Sequence, residues 1–194
     1  MRTLRRTGLT LAATVVGLSA VLAGAGTASA TAAAPQSPFA AQGRGAGLSS
    51  TQITGLQKEV DAFIATSGGR QVALNRVQLS EGSAVVLTVP GESRARDLTG
   101  ARAGAFAPGN CGDKNFCAYK GANYTGYEFT MWQCKTWELP GDGWGRGGSW
   151  YNNQTPGTRA VMYGKHMQWV YTTPRAPFGD PHGNWAPVWF IKNC

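Results

Sequence analysis

Few groups in this 194-residue chain could do chemistry, and their spacing excludes most of the chemistry available to them. His166 and His182 are the only imidazoles, and neither lies in a His-Glu-x-x-His zinc-hydrolase pattern. No Gly-x-Ser-x-Gly nucleophile elbow is present. The run GWGRGG at 143–148 matches Gly-x-Gly-x-x-Gly in form, but no strand–turn–helix unit surrounds it, so it reads as a turn-rich loop. A cysteine nucleophile would need a free thiol. The four cysteines (Cys111, Cys117, Cys134 and Cys194) are even in number and confined to the last part of the chain, which reads as disulfides. Zinc would need Cys-x-x-Cys pairs or nearby histidines, whereas the local spacing is Cys-x5-Cys. The expectation is a non-enzyme with no catalytic residues, no metal and no cofactor.

What must position the remaining groups begins with export. Arg2, Arg5 and Arg6 precede an apolar run from 9 to about 25 that ends in the small residues TASA. This is the layout of a secretory signal peptide over 1–30, cleaved after Ala30. The run is short and Gly/Ala-rich and lacks a stop-transfer flank, which argues against a membrane anchor. The Arg5-Arg6 pair fits a twin-arginine signal only loosely. Among the three possible disulfide pairings, Cys111 with Cys117 closes a tight local loop, and Cys134 with Cys194 ties the C-terminal residue to the domain; this is the favoured pair of bridges. The formal charge is +8, but three of those charges sit in the signal peptide and the rest are scattered without a Lys/Arg run. Such a distribution favours solubility and gives no nucleic-acid footprint. The expected product is a secreted, extracellular monomer with no membrane partner once the signal is removed.

Composition then divides the chain. Residues 31–48 are rich in Ala, Pro, Gln, Ser and Gly and read as a flexible leader. Ser49 and Gln52 form a capping-box start, and Ile53, Leu56, Val60, Phe63 and Ile64 recur at helical spacing up to Ser67-Gly68-Gly69. The segments QVALNRVQL and AVVLTVP follow, joined by SEGS, and predict a two-stranded hairpin. Residues 49–91 are thus one helix on a hairpin, either an accessory subdomain or a removable pro-segment. Residues 92–108, dotted with Arg94, Arg96 and Arg102, read as a linker open to processing. Residues 109–194 hold all seven tryptophans and all six tyrosines, with short β-rich runs between many turn signals. The prediction there is a mainly β sandwich or small barrel whose core is supplemented by disulfides.

One spacing in that last zone is unusual. In FCAYKGANYTGYEF, Tyr119, Tyr124 and Gly126 stand at offsets of five and two. A strand that ends in a folded-over hairpin accounts for this: KGAN bends, with Gly121 and Asn123 tolerating left-handed angles. Tyr124 returns onto Tyr119, and Gly126 takes a positive φ. This pattern resembles the folded-hairpin signature of the βγ-crystallin Greek-key fold, in which a later serine or threonine bonds back to the hairpin. The stretch SWYNNQTPGTRAVMY lies in the corresponding place. More specifically, CGDKNFCAYKGANYTGYEF is similar to secreted bacterial βγ-crystallin-like peptidase inhibitors of the actinomycete metalloproteinase inhibitor type. The resemblance covers 111 to about 163; the tail from 164 departs from it, and Tyr163 lacks a second aromatic at Gln168.

The resemblance implies a Greek-key sandwich that inhibits an extracellular protease through a rigid exposed loop. Protease clefts bind extended backbone, and a pinned loop loses little entropy on binding. The candidate inhibitory residues are Pro174, Arg175, Pro177 and Phe178, within TTPRAPFGDPHGNW at 172–185. The glycine-rich loop at 141–149 is a poorer candidate, because glycine raises the ordering cost. A second reading is a calcium-binding module. Asn152 and Asn153 occupy the start of the family's site pattern, but they are uncharged amides and Pro156-Gly157 displaces the hydroxyl pair. A third is a carbohydrate- or cell-wall-binding module, or a small antimicrobial toxin, using exposed tryptophans.

Overall fold

The computed structural model describes residues 38–99, 107–141 and 144–194. The signal-peptide expectation and the first part of the leader lie outside these residues, as do residues 100–106 of the linker.

Ser49 starts the principal helix. Its hydroxyl accepts the Gln52 N–H and the Gln52 side chain accepts the Ser49 N–H, closing a capping box. Residues Ser50–Ser67 (α2) bury Ile53, Leu56, Val60 and Phe63 on one face, and Gly68 at φ 71° ends the helix. A short helix precedes it, Ala40–Gly45 (α1), where composition predicts unstructured leader. The small residues are what allow it to pack. A Cβ on Gly43 would overlap Leu74 and Ile53, and the Gln42 side chain accepts the Leu74 N–H at 2.6 Å.

The expected hairpin is a three-stranded meander. QVALNRVQL splits at Leu74-Asn75 into Arg70–Ala73 (β1) and Arg76–Ser80 (β2), followed by Ser83–Val86 (β3). Asn75 makes the split hold: it is fully buried, its amide donates to Leu87 O and Arg96 O (both 2.8 Å), and its carbonyl accepts Leu98 N–H. The start of the predicted linker is therefore packed: Ala95 and Leu98 are buried, and Asp97 pairs with Arg76 at 2.7 Å.

Two antiparallel sheets make the molecule mainly β. The larger runs β1-β2-β3-β5-β4-β7-β10, where β4 is Phe116–Gly121, β5 Thr125–Met131, β7 Gly147–Asn152 and β10 Phe178–Asn184. The smaller runs β6-β11-β8-β9, made of Thr136–Glu138 (β6), Val161–Tyr163 (β8), Trp169–Thr172 (β9) and Phe190–Lys192 (β11). β3 pairs with β5, placing Val85 opposite Phe129 and Val86 opposite Glu128. The helix-and-meander segment thus shares a sheet with the strands that follow. One buried cluster runs from Leu56 and Val60 through Val85 and Phe129 to Trp150, Met162 and Ile191. Disulfides join Cys111 to Cys117 and Cys134 to Cys194, with Cα separations of 5.8 and 5.3 Å. The second closes the end of the small sheet where β6 pairs with β11.

Candidate functional site

The folded hairpin lies between β4 and β5. Asn123 (φ 55°) and Tyr124 (φ 61°) both take left-handed angles at the bend, and Gly126 follows at φ 74°. Gly121 is extended at φ −108°, so the expected left-handed angle is absent there. Glycine is needed at that position for space, because a Cβ would overlap the Thr125 hydroxyl. The Tyr119 and Tyr124 rings meet edge to face at 5.5 Å, and Tyr124 meets Tyr151 at 6.4 Å. Ser149, fully buried on β7, locks the bend: its hydroxyl accepts the Tyr124 N–H at 2.8 Å and donates to Gly121 O at 2.6 Å. Burial, reinforced by the Glu128 charge, pushes the Tyr119 phenol far above its ordinary range. It stays a neutral donor to Pro108 O at 3.2 Å. This end of the molecule is a scaffold, cross-tied by the Ser149 and Tyr119 hydroxyls and the tyrosine contacts.

The candidate loop lies elsewhere, between β9 and β10. The expected long loop is shorter than its sequence suggests, because 178–184 form β10 along β7, with a register shift between Asp180 and Gly183 that accommodates Pro181. What remains is an arch over 173–177 with two buried feet. Thr173 is fully buried, and its N–H donates to Ala160 O and its hydroxyl accepts the Ala160 N–H, both at 2.9 Å. Its carbonyl accepts Arg159 Nη1 at 3.0 Å. Ala176 is buried, donates to Thr158 O at 2.8 Å and accepts the Gly157 N–H at 3.0 Å. Between the feet stand half-buried Pro174 and exposed Arg175, followed by exposed Pro177 and Phe178, with a cis bond between Ala176 and Pro177. The Phe178 ring leans on buried Trp150 at 6.2 Å, as does Tyr171 at 6.1 Å, and Trp169 is 66% exposed beside them on β9.

The segment that clamps the arch, Gly157 through Ala160, carries no signal in the sequence beyond a Pro-Gly turn. It is held in turn by Asn152. That residue is fully buried; its amide nitrogen donates to Thr158 O at 3.1 Å and its oxygen accepts the Gln154 N–H. Asn153 donates from its amide nitrogen to Cys111 O and Gly112 O, both at 3.0 Å. Both residues weighed as calcium ligands thus cross-tie loops. Among the described residues no group of three His, Cys, Asp or Glu side chains gathers to hold a metal. His166 and His182 are both exposed, on separate elements. Of the tryptophans, Trp137, Trp144, Trp150 and Trp185 are buried, while Trp132, Trp169 and Trp189 are exposed. No helix of the described residues is long and apolar enough to cross a membrane.

Glu128 is the strongly perturbed carboxyl that spacing alone does not reveal. It is buried on β5 beside β3, and burial pushes its pKa up to about 7 against the pull of the Thr130 hydrogen bond and the Arg76 charge. A well of 440 Å³ lined by Glu128, Thr130, Arg76, Asp97 and Asn115 adjoins it.

Comparison with known proteins finds one likeness. Residues 104–167, a third of the chain, match the model of peptidase inhibitor family I36. The matched stretch contains the folded hairpin, Ser149, the Cys111–Cys117 bridge and the clamp, and ends before the arch. No curated protein and no solved structure matches the chain.

Proposed function

We propose that this protein is a secreted peptidase inhibitor whose protease-facing element is the arch at 173–177. The observation that carries the reading is the double anchoring of that arch on a scaffold similar to an inhibitor family. Thr173 and Ala176 are fixed by five backbone and side-chain bonds to 157–160, while Arg175, Pro177 and Phe178 project into solvent. Ordering a flexible segment costs about 0.5–1.5 kcal/mol for each immobilised side chain. A loop already held by its own scaffold avoids most of that cost, and its prolines restrict the free state further. The two disulfides fit an extracellular setting.

We further infer that 49–91 is an accessory subdomain that stays with the inhibitor. Removing it would strip β3 from β5 and open the cluster shared by Val85, Leu87, Phe129 and Met131. The central test is inhibition of serine, cysteine and metallopeptidases by the purified secreted protein, with Thr173→Val as companion. Inhibition in at least one class is expected, and it weakens in the variant, which loses the side-chain tie to Ala160. Absence of inhibition at micromolar concentration in all three classes refutes the reading.

A further inference from the structure

We propose that the target is a peptidase that cleaves after basic residues, and that Arg175 is the side chain it takes into its primary specificity pocket. This rests on the inhibitor reading above and adds the class of enzyme. Arg175 stands between the two buried feet of the arch, exposed, and has no hydrogen-bond or ion-pair partner among the described residues. Most other arginines in this folded unit are committed; Arg146 is exposed without a side-chain bond among the described residues, but it lies in the 141–149 loop, outside the arch. Arg76 pairs with Asp97, Arg96 with Glu92, Arg94 donates to Asn123 O, and Arg159 donates to the carbonyl of Thr173 itself. The neighbouring Arg159 is thus structural, and Arg175 is the guanidinium that the arch presents.

A guanidinium is a planar, permanently charged fork that matches a carboxylate with two parallel hydrogen bonds. A pocket that holds a carboxylate at its base is therefore its complement, as in peptidases that cut after arginine or lysine. Phe178 is the competing knob. It opens β10, and its ring already rests on Trp150 at 6.2 Å, so part of its apolar surface is covered before any partner arrives. The flanking residues also suit an inhibitor better than a substrate. The Ala176 N–H and C=O on the far side of the Arg175–Ala176 bond are both bonded to the clamp, which holds the segment in place if that bond is attacked.

The test measures inhibition of trypsin-type and chymotrypsin-type serine peptidases and of a thermolysin-type metallopeptidase by the full secreted chain and by Arg175→Ala, Arg175→Lys and Phe178→Ala. The expected result is inhibition of the trypsin-type enzyme, weakened roughly 100-fold or more by Arg175→Ala and less than about 10-fold by Arg175→Lys. Unfolding midpoints should be unchanged in both arginine variants, since the exposed side chain makes no hydrogen bond or ion pair among the described residues. Inhibition confined to the other two enzymes, or lost only in Phe178→Ala, overturns this assignment and leaves the inhibitor reading standing. Equal inhibition of the trypsin-type enzyme by Arg175→Ala also overturns it, as does rapid cleavage after Arg175 with release of the enzyme. Failure to inhibit any peptidase removes both proposals together.

Discussion

Replacing Glu128 with glutamine should make the protein more stable at alkaline pH and leave it little changed in acid. Glu128 is buried on β5, opposite Val86 of the paired strand β3. Its neighbours are the Thr130 hydroxyl, which donates to it at 2.8 Å, and the Arg76–Asp97 pair, whose charges oppose each other at the carboxyl. No cation is dedicated to it, so burial dominates and the pKa rises from 4.5 to about 7. The folded chain therefore keeps a proton that the unfolded chain releases. The stability linked to that proton is fully present below the unfolded value near 4.5 and is lost as pH rises through about 7. At 1.36 kcal/mol per pH unit, this gap amounts to about 3 kcal/mol at pH 8. For a chain of this size that is roughly 6–12 °C in melting temperature. Glutamine is isosteric, keeps an acceptor for Thr130 and cannot ionise. Urea unfolding of both proteins from pH 4 to pH 8, followed by tryptophan fluorescence, gives the stability difference at each pH. That difference should grow by about 3 kcal/mol in favour of Glu128→Gln across the range, whatever the other groups do. A difference flat to within about 0.5 kcal/mol would refute the idea that β3 buries a carboxyl without pairing it.

Two further outcomes follow from the scaffold. Ser149→Ala removes both hydrogen bonds that lock the folded hairpin and leaves the Tyr124 N–H and Gly121 carbonyl without that partner. The expected loss is about 2–3 kcal/mol in denaturant unfolding, and a loss below about 0.5 kcal/mol would show that the lock is held by the tyrosine contacts instead. Any processed form of the protein should begin before Ala40, because α1, α2 and β3 are packed into the shared core. Mass spectrometry of the N-terminus checks this, and a mature start near 103–110 would show that 49–91 is a removable pro-segment.

Local chemistry was legible along the chain, and long-range pairing was not. The capping box at Ser49, the stripe from Ile53 to Phe63 and the Tyr119–Tyr124–Gly126 spacing are short-range patterns. Each depends on residues a few positions apart, so a turn or a helix face follows directly from their types. The errors arose where small or polar residues found distant partners. Ala40 and Gly43 read as leader, but Ala40 is buried in the core and Gly43 lies against Leu74; Asn75 reads as part of a strand but breaks it by bonding to Leu87, Arg96 and Leu98. The proline and glycines of 178–184 read as loop, yet the stretch forms an edge strand on β7.

By itself the sequence determined an even set of cysteines in one region, the main helix and a folded hairpin of inhibitor-like type. It also determined the absence of the motifs that common hydrolases need. Only the tertiary structure decided that β3 joins β5, that Glu128 is buried beside it, and that Thr173 and Ala176 are pinned to 157–160 with Arg175 exposed between them. The physical reason is that these ties run through backbone N–H and C=O groups, which every residue carries alike. Which strands and loops they join depends on where the chain brings them, and residue types along the chain do not encode that directly.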